Sequence, residues 1–105
     1  MENNIKENIL DTLIEITNLL DLCNIRDVSD LFRKDIDIIR DVDFNSDEGV
    51  TKLKNLKSKM VGMGSFTDIP LYPPESSSFS REDLEKKQLD LANKILELAN
   101  KAIGR

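Results

Sequence analysis

Between Ile5 and Cys23, apolar side chains recur at helical spacing on more than one side of a helix. Ile5, Ile9, Leu13, Ile16, Leu20 and Cys23 form one stripe, and Leu10, Ile14, Leu19 and Leu22 widen it well beyond a single face. A helix of that kind cannot bury its surface against one neighbour. It is expected at the centre of an all-α assembly, with partners on more than one flank.

Three further stretches carry the same period. From about Asp27 to Val42, the residues Val28, Leu31, Phe32, Ile36, Ile39 and Val42 share a face, with Asp27 or Ser29 available to cap the start. Asn45-Ser46-Asp47 reads as a turn that also caps a third helix, whose stripe is Val50, Leu53, Leu56 and Met60. Ser80-Arg81-Glu82-Asp83 resembles a capping box with Asp in place of Glu, and Leu84, Leu91, Ala92, Ile95, Leu98, Ala99, Ala102 and Ile103 follow it up to Gly104. Between helices three and four, Pro70, Pro73 and Pro74 forbid a helix. Ile69, Leu71, Tyr72 and Phe79 are too apolar for a free linker, so this segment is expected to cross the bundle as extended chain, with a residue or two of strand. The expected fold is one all-α, four-helix bundle-like domain over residues 1–105, with an extended proline-containing segment between helices three and four.

Composition narrows the function classes. The chain has 105 residues, a net charge of −5, one cysteine and no histidine. Without histidine it lacks the commonest general base, the usual metal ligand and the near-neutral pH switch. An acidic balance disfavours nucleic acid as a partner, because phosphate binding draws on clustered Lys and Arg. No apolar run approaches the roughly 20 residues that span a bilayer. The N-terminal Met1-Glu2-Asn3-Asn4-Ile5-Lys6-Glu7 lacks the basic region and apolar core of a signal peptide. These features point to a cytoplasmic protein that needs no cofactor and binds neither membrane nor nucleic acid, as a monomer or weak dimer.

Three local patterns invite chemistry and fall short of it. Asp41-Val42-Asp43-Phe44-Asn45-Ser46-Asp47 imitates the first half of a calcium loop, but Ser46 replaces the turn glycine and Lys52 the closing glutamate. Cys23 lies in line with an apolar stripe, with no histidine to activate it. Gly62-Met63-Gly64-Ser65 has neither the preceding strand nor the following Lys-Ser/Thr of a phosphate loop, and no base serves Ser65. An enzyme is not expected.

Charge segregation is the remaining signal. Asp27, Asp30, Asp35, Asp37, Asp41, Asp43, Asp47 and Glu48 stand against Arg33, Lys34 and Arg40, whereas helix three carries Lys52, Lys54, Lys57 and Lys59 with no acid from Val50 to Met63. One reading makes helices two and three antiparallel neighbours whose flanking charges pair. The other uses Asp30, Asp37 and Asp41, which share a face opposite the apolar stripe, as a carboxylate row that docks on a basic groove, with Asp43, Asp47 and Glu48 extending it. Asp35 departs from that row and falls among the apolar positions. A buried aspartate there needs donors, for which the backbone of the Gly62–Ser65 turn is a candidate; alternatively helix two breaks or rotates near Lys34.

Val61-Gly62-Met63-Gly64-Ser65-Phe66-Thr67-Asp68-Ile69 resembles a segment of a family of small helical bacterial proteins. In those, a helix ends in Phe-Gly-Gly-Met-Gly-Ser-Phe/Leu-Asn-Asp-Leu, an extended stretch follows, and a long last helix closes the chain. Here Met60 stands for the aromatic residue, Val61 for the first glycine and Thr67 for the asparagine. The family resembles immunity proteins of bacterial toxin–immunity systems, contact-dependent inhibition among them. The resemblance implies an inhibitor that binds a cognate toxin domain and blocks its active site, and a nuclease toxin, such as a ribonuclease, would present a basic cleft. The motif itself is expected to be structural, with Met63 and Phe66 pinning the turn to the core while Ser65 and Asp68 bond backbone. The alternative function is a helical adaptor or regulatory domain unrelated to toxins.

Overall fold

The stripe of the N-terminal helix is buried from two sides, but Ile14 and Leu22, two of the residues that widen it, stay exposed. A computed structural model describes residues 2–104, so Met1 and Arg105 of the expected 1–105 domain lie outside the described residues. Four α-helices follow one another: α1 (Glu2–Leu22), α2 (Arg26–Asp41), α3 (Asp47–Ser58) and α4 (Arg81–Ile103), with a short 3₁₀ turn at Phe66–Asp68. The fold is all-α and bundle-like. α1 packs against both α2 and α4, and α3 packs against α4. Ile9, Leu13, Ile16 and Leu20 are fully buried. Two polar residues share that interior, and each is satisfied locally: Thr12 Oγ1 donates to the Asn8 carbonyl and Thr17 Oγ1 to that of Ile14.

Short, chemically specified turns set the angles between helices. α1 ends in a Schellman motif: Ile25 N donates to the Leu20 carbonyl, Asn24 N donates to that of Asp21, and Asn24 takes a left-handed φ of 64°. That turn leads straight into α2, so Ile25 takes the N-cap position without a side-chain bond. The expected caps are thereby corrected. Asp27 lies in the first turn, and Ser29 is buried with its hydroxyl 3.3 Å from the Thr17 carbonyl. At the far end of α2, Lys6 Nζ bonds the Val42 and Arg40 carbonyls, a cation at the negative helix terminus. Ser46 caps α3, accepting from Gly49 N at 2.9 Å, and Ser80 with Asp83 forms a full capping box on α4.

The segment between α3 and α4 crosses the bundle with fewer anchors than its composition promises. Leu71 is fully buried and Ile69 half-buried, whereas Tyr72 and Phe79 are exposed. Tyr72 lies under the Arg81 guanidinium, 4.6 Å from ring centroid to Cζ. Among the described residues no strand forms; the 3₁₀ turn takes its place.

At Gly49 two backbone segments approach closely. A Cβ there would lie 2.0 Å from the Asp43 carbonyl oxygen and 2.8 Å from Phe44 Cα. Both are backbone atoms, so no side-chain rotation relieves the clash. Gly49→Ala should therefore destabilise the protein by about 2 kcal/mol or more, read from urea unfolding.

Candidate functional site

Asp35 is 3% exposed and lies between α2 and α3. Lys52 Nζ is 2.5 Å from Oδ1, and Lys59 Nζ is 3.0 and 2.9 Å from Oδ1 and Oδ2. The carboxylate thus takes two ammonium groups from α3 rather than backbone amides. Those amides are already engaged: Gly64 N on Asp68 Oδ2, Ser65 N on the Gly62 carbonyl and Phe66 N on the Lys59 carbonyl. α2 runs unbroken through Lys34. Lys52 on α3 and Lys59 at its C-cap are about two turns apart, and their long stems let both reach one acid.

The Gly62–Asp68 turn is built as a unit. Gly62 and Gly64 adopt φ of 103° and 78°, the left-handed region that glycine tolerates. Ser65 Oγ donates to the Gly62 carbonyl at 2.6 Å, and Thr67 Oγ1 to that of Met60 at 2.9 Å. From α4, the buried Gln88 amide donates to the Phe66 and Ile69 carbonyls at 2.7 and 2.8 Å. Phe66 is buried and meets Phe32 of α2 edge-on, with centroids 5.9 Å apart. Met63 corrects the expectation placed on it. It is 100% exposed, because two left-handed glycines turn the chain outward at that point.

The acidic row is present but interrupted. Asp30 pairs with Arg33 at 2.9 Å and Asp37 with Arg40 at 2.8 Å, each at i,i+3. Arg33 also pairs with Asp21 of α1. Asp43 is exposed, and its Oδ1 accepts from Asn45 N at 2.9 Å, so it holds the turn into α3. Asp41, Asp47 and Glu48 are exposed and make no ion pair among the described residues. The free negative charge therefore gathers where α2 ends and α3 begins. The i,i+3 rule applied to Arg33 and Arg40 would have found this.

Beside that charge α2 exposes apolar side chains. Leu31, expected on the buried face, is 56% exposed, and Ile38 is 49% exposed. Phe32 and Ile39 turn into the core, and α3 reaches α2 here through lysine side chains instead of closing on it. Leu31, Asp35 and Ile38 thus share a face that α3 covers only at Asp35. Cys23 is half-buried, and burial pushes its thiol up, away from the reactive thiolate. Among the described residues no three His, Cys, Asp or Glu side chains gather to hold a metal, and no helix is long and apolar enough to cross a membrane. Comparison with protein-family models, curated proteins and solved structures finds no match for the chain.

Three outcomes follow from these charges. Asp35→Ala leaves Lys52 and Lys59 facing each other in a largely buried seam, and should cost about 3 kcal/mol in urea unfolding. Replacing all three partners together, as Asp35→Leu, Lys52→Met and Lys59→Met, should recover most of that loss. Asp21 supplies a pH signature. The Ser29 hydroxyl beside it, and then the Arg33 guanidinium, hold its carboxyl below the usual value of 3.8, against an opposing push from burial. A depressed folded-state value adds stability above the unfolded value and loses it as pH falls through the folded one. Asp21→Asn should therefore cost under about 1 kcal/mol at neutral pH, and the gap to the wild type should close in acid.

Proposed function

We propose that this chain is an immunity protein: a stoichiometric inhibitor that neutralises a cognate bacterial toxin domain by covering its active site. Working in the cytoplasm of the producing cell, it acts by binding alone and performs no catalysis. The observation that carries the binding reading is the end of α2. There Asp41, Asp47 and Glu48, in no ion pair among the described residues, place negative charge next to the exposed Ile38. A surface that combines free carboxylates with exposed apolar groups suits a basic, partly apolar partner surface, such as the substrate cleft of a ribonuclease. The toxin as partner is supported by the resemblance of Val61–Ile69 to the immunity-like family.

The test is co-expression with the C-terminal domain of the toxin encoded directly upstream. A one-to-one complex and rescue of growth are expected, and failure of both defeats the proposal. Electrostatic steering adds a kinetic signature. Reversing Asp41 to Lys, alone or with Asp37→Lys, should slow association about tenfold at low ionic strength, with the difference shrinking as salt rises. Stopped-flow rates that ignore both salt and the reversals would remove the electrostatic contribution while leaving the inhibitor role intact. A helical adaptor unrelated to toxins would bind through the same surface, and only the rescue assay separates the two.

A further inference from the structure

The four helices form a ring in which α2–α1, α1–α4 and α4–α3 are packed helix against helix. The seam between α3 and α2 is different in kind. It is bridged by Asp35 with Lys52 and Lys59, and by Phe32 against Phe66. On either side of the ion cluster lies a recess. One, of about 350 Å³, is lined by Val28, Leu31, Phe32, Met63 and Ile69 among others. The other, of about 580 Å³, is lined by Ile38, Val42, Asp47 and Glu48 with polar neighbours.

We propose that this seam is a docking groove for a segment of a partner protein bearing an apolar side chain and, two helical turns away, a Lys or Arg. The chemistry of the recesses sets both requirements. Leu31 at 56% and Met63 at 100% exposure leave apolar surface wet beside the first recess, which an aliphatic or aromatic side chain would cover. The second has an apolar floor from Ile38 and Val42 and a rim of Asp47 and Glu48, neither in an ion pair among the described residues. Lys52, the cation in that recess, is already held by Asp35. The α3 N-terminus offsets part of that negative charge, and no further side-chain cation lines the recess. A Lys or Arg stem can lie on the floor while its head reaches the carboxylates.

Geometry sets the spacing. Leu31 and Ile38 are two turns apart on α2, roughly 10.5 Å at 1.5 Å per residue. A helical guest meets both recesses with residues i and i+7, and an extended guest with i and i+3 at roughly 3.3 Å per residue. Between them, the Asp35 cluster leaves no apolar hole, so the guest residue there must be small or polar. The inference deepens the inhibitor reading and rests on it only for the identity of the partner.

The test uses the full chain with isotope-labelled Ile, Leu, Val and Met methyls. The probe is a helix-stabilised peptide carrying Leu and Arg seven positions apart on an Ala/Gln background. Shifts are expected at Leu31, Ile38 and Met63, with binding weakened about fivefold or more when the peptide's Arg becomes Glu, or in an Asp47→Asn, Glu48→Gln variant. No shift at millimolar peptide, equal binding of the Arg and Glu peptides, or shifts centred on Leu22 and Phe79 would overturn the groove. So would concentration-dependent shifts of the same methyls without peptide, which would make the seam a contact between copies. In the toxin-domain complex, Leu31→Ser with Ile38→Ser should raise the dissociation constant at least about tenfold. Full-strength binding by that variant overturns the groove and leaves the inhibitor reading standing. A toxin domain that never binds, with the peptide result intact, overturns the inhibitor reading and leaves the groove.

Discussion

A carboxylate cannot remain charged in a protein interior without partners, and Asp35 is 3% exposed. That requirement orients α3, because Lys52 and Lys59 must both turn toward α2 to meet it. With those two lysines turned inward, Leu53, Leu56 and Met60 are carried into the core with α3 against α4. The cluster also limits how far α2 and α3 can close. Apolar pairs would draw the helices together at this seam, whereas ammonium groups at the ends of four-carbon stems hold them apart.

The same seam ends in the Gly62–Asp68 turn, and the two features support each other. Lys59 supplies an ammonium to Asp35 through its side chain and a carbonyl to Phe66 N through its backbone, 2.7 Å away. Phe66 then reaches Phe32, one turn before Asp35 on α2. Gln88 closes the arrangement from α4 by satisfying two carbonyls of the turn. A change of chain direction that would leave several peptide groups unpaired is thereby tied to three helices.

The helices were legible because their signals are local. Periodicity placed α1 as the central element, and side-chain chemistry placed Ser46 and the Ser80–Asp83 box at the starts of α3 and α4. What was misread depends on where a neighbour stands. Leu31 carries the same periodic signal as Phe32, and only the absence of a close helix separates its 56% exposure from the 4% of Phe32. Met63 is as apolar as Met60, yet the left-handed glycines on either side aim it at solvent. Asp35 was correctly singled out as a buried acid, but its partners lie 17 and 24 residues further along the chain. The backbone turn offered another set of donors, whose engagement by Asp68, Gly62 and Lys59 no sequence pattern reveals.

The charge on α2 acquires its meaning from the same geometry. Arg33 and Arg40 neutralise the middle of the acidic row, while the seam consumes Lys52 and Lys59 internally. Acid is thus left in excess at one end of the groove, and apolar surface at the other. A seam of close-packed apolar residues would be about as stable, but it would bury Leu31 and Ile38 and leave no recess for a guest. An ion cluster holds the helices in one register while keeping them apart, so the recesses on either side of it are open in the unbound chain. Preformed surface would lower the ordering cost of association for any partner that docks there.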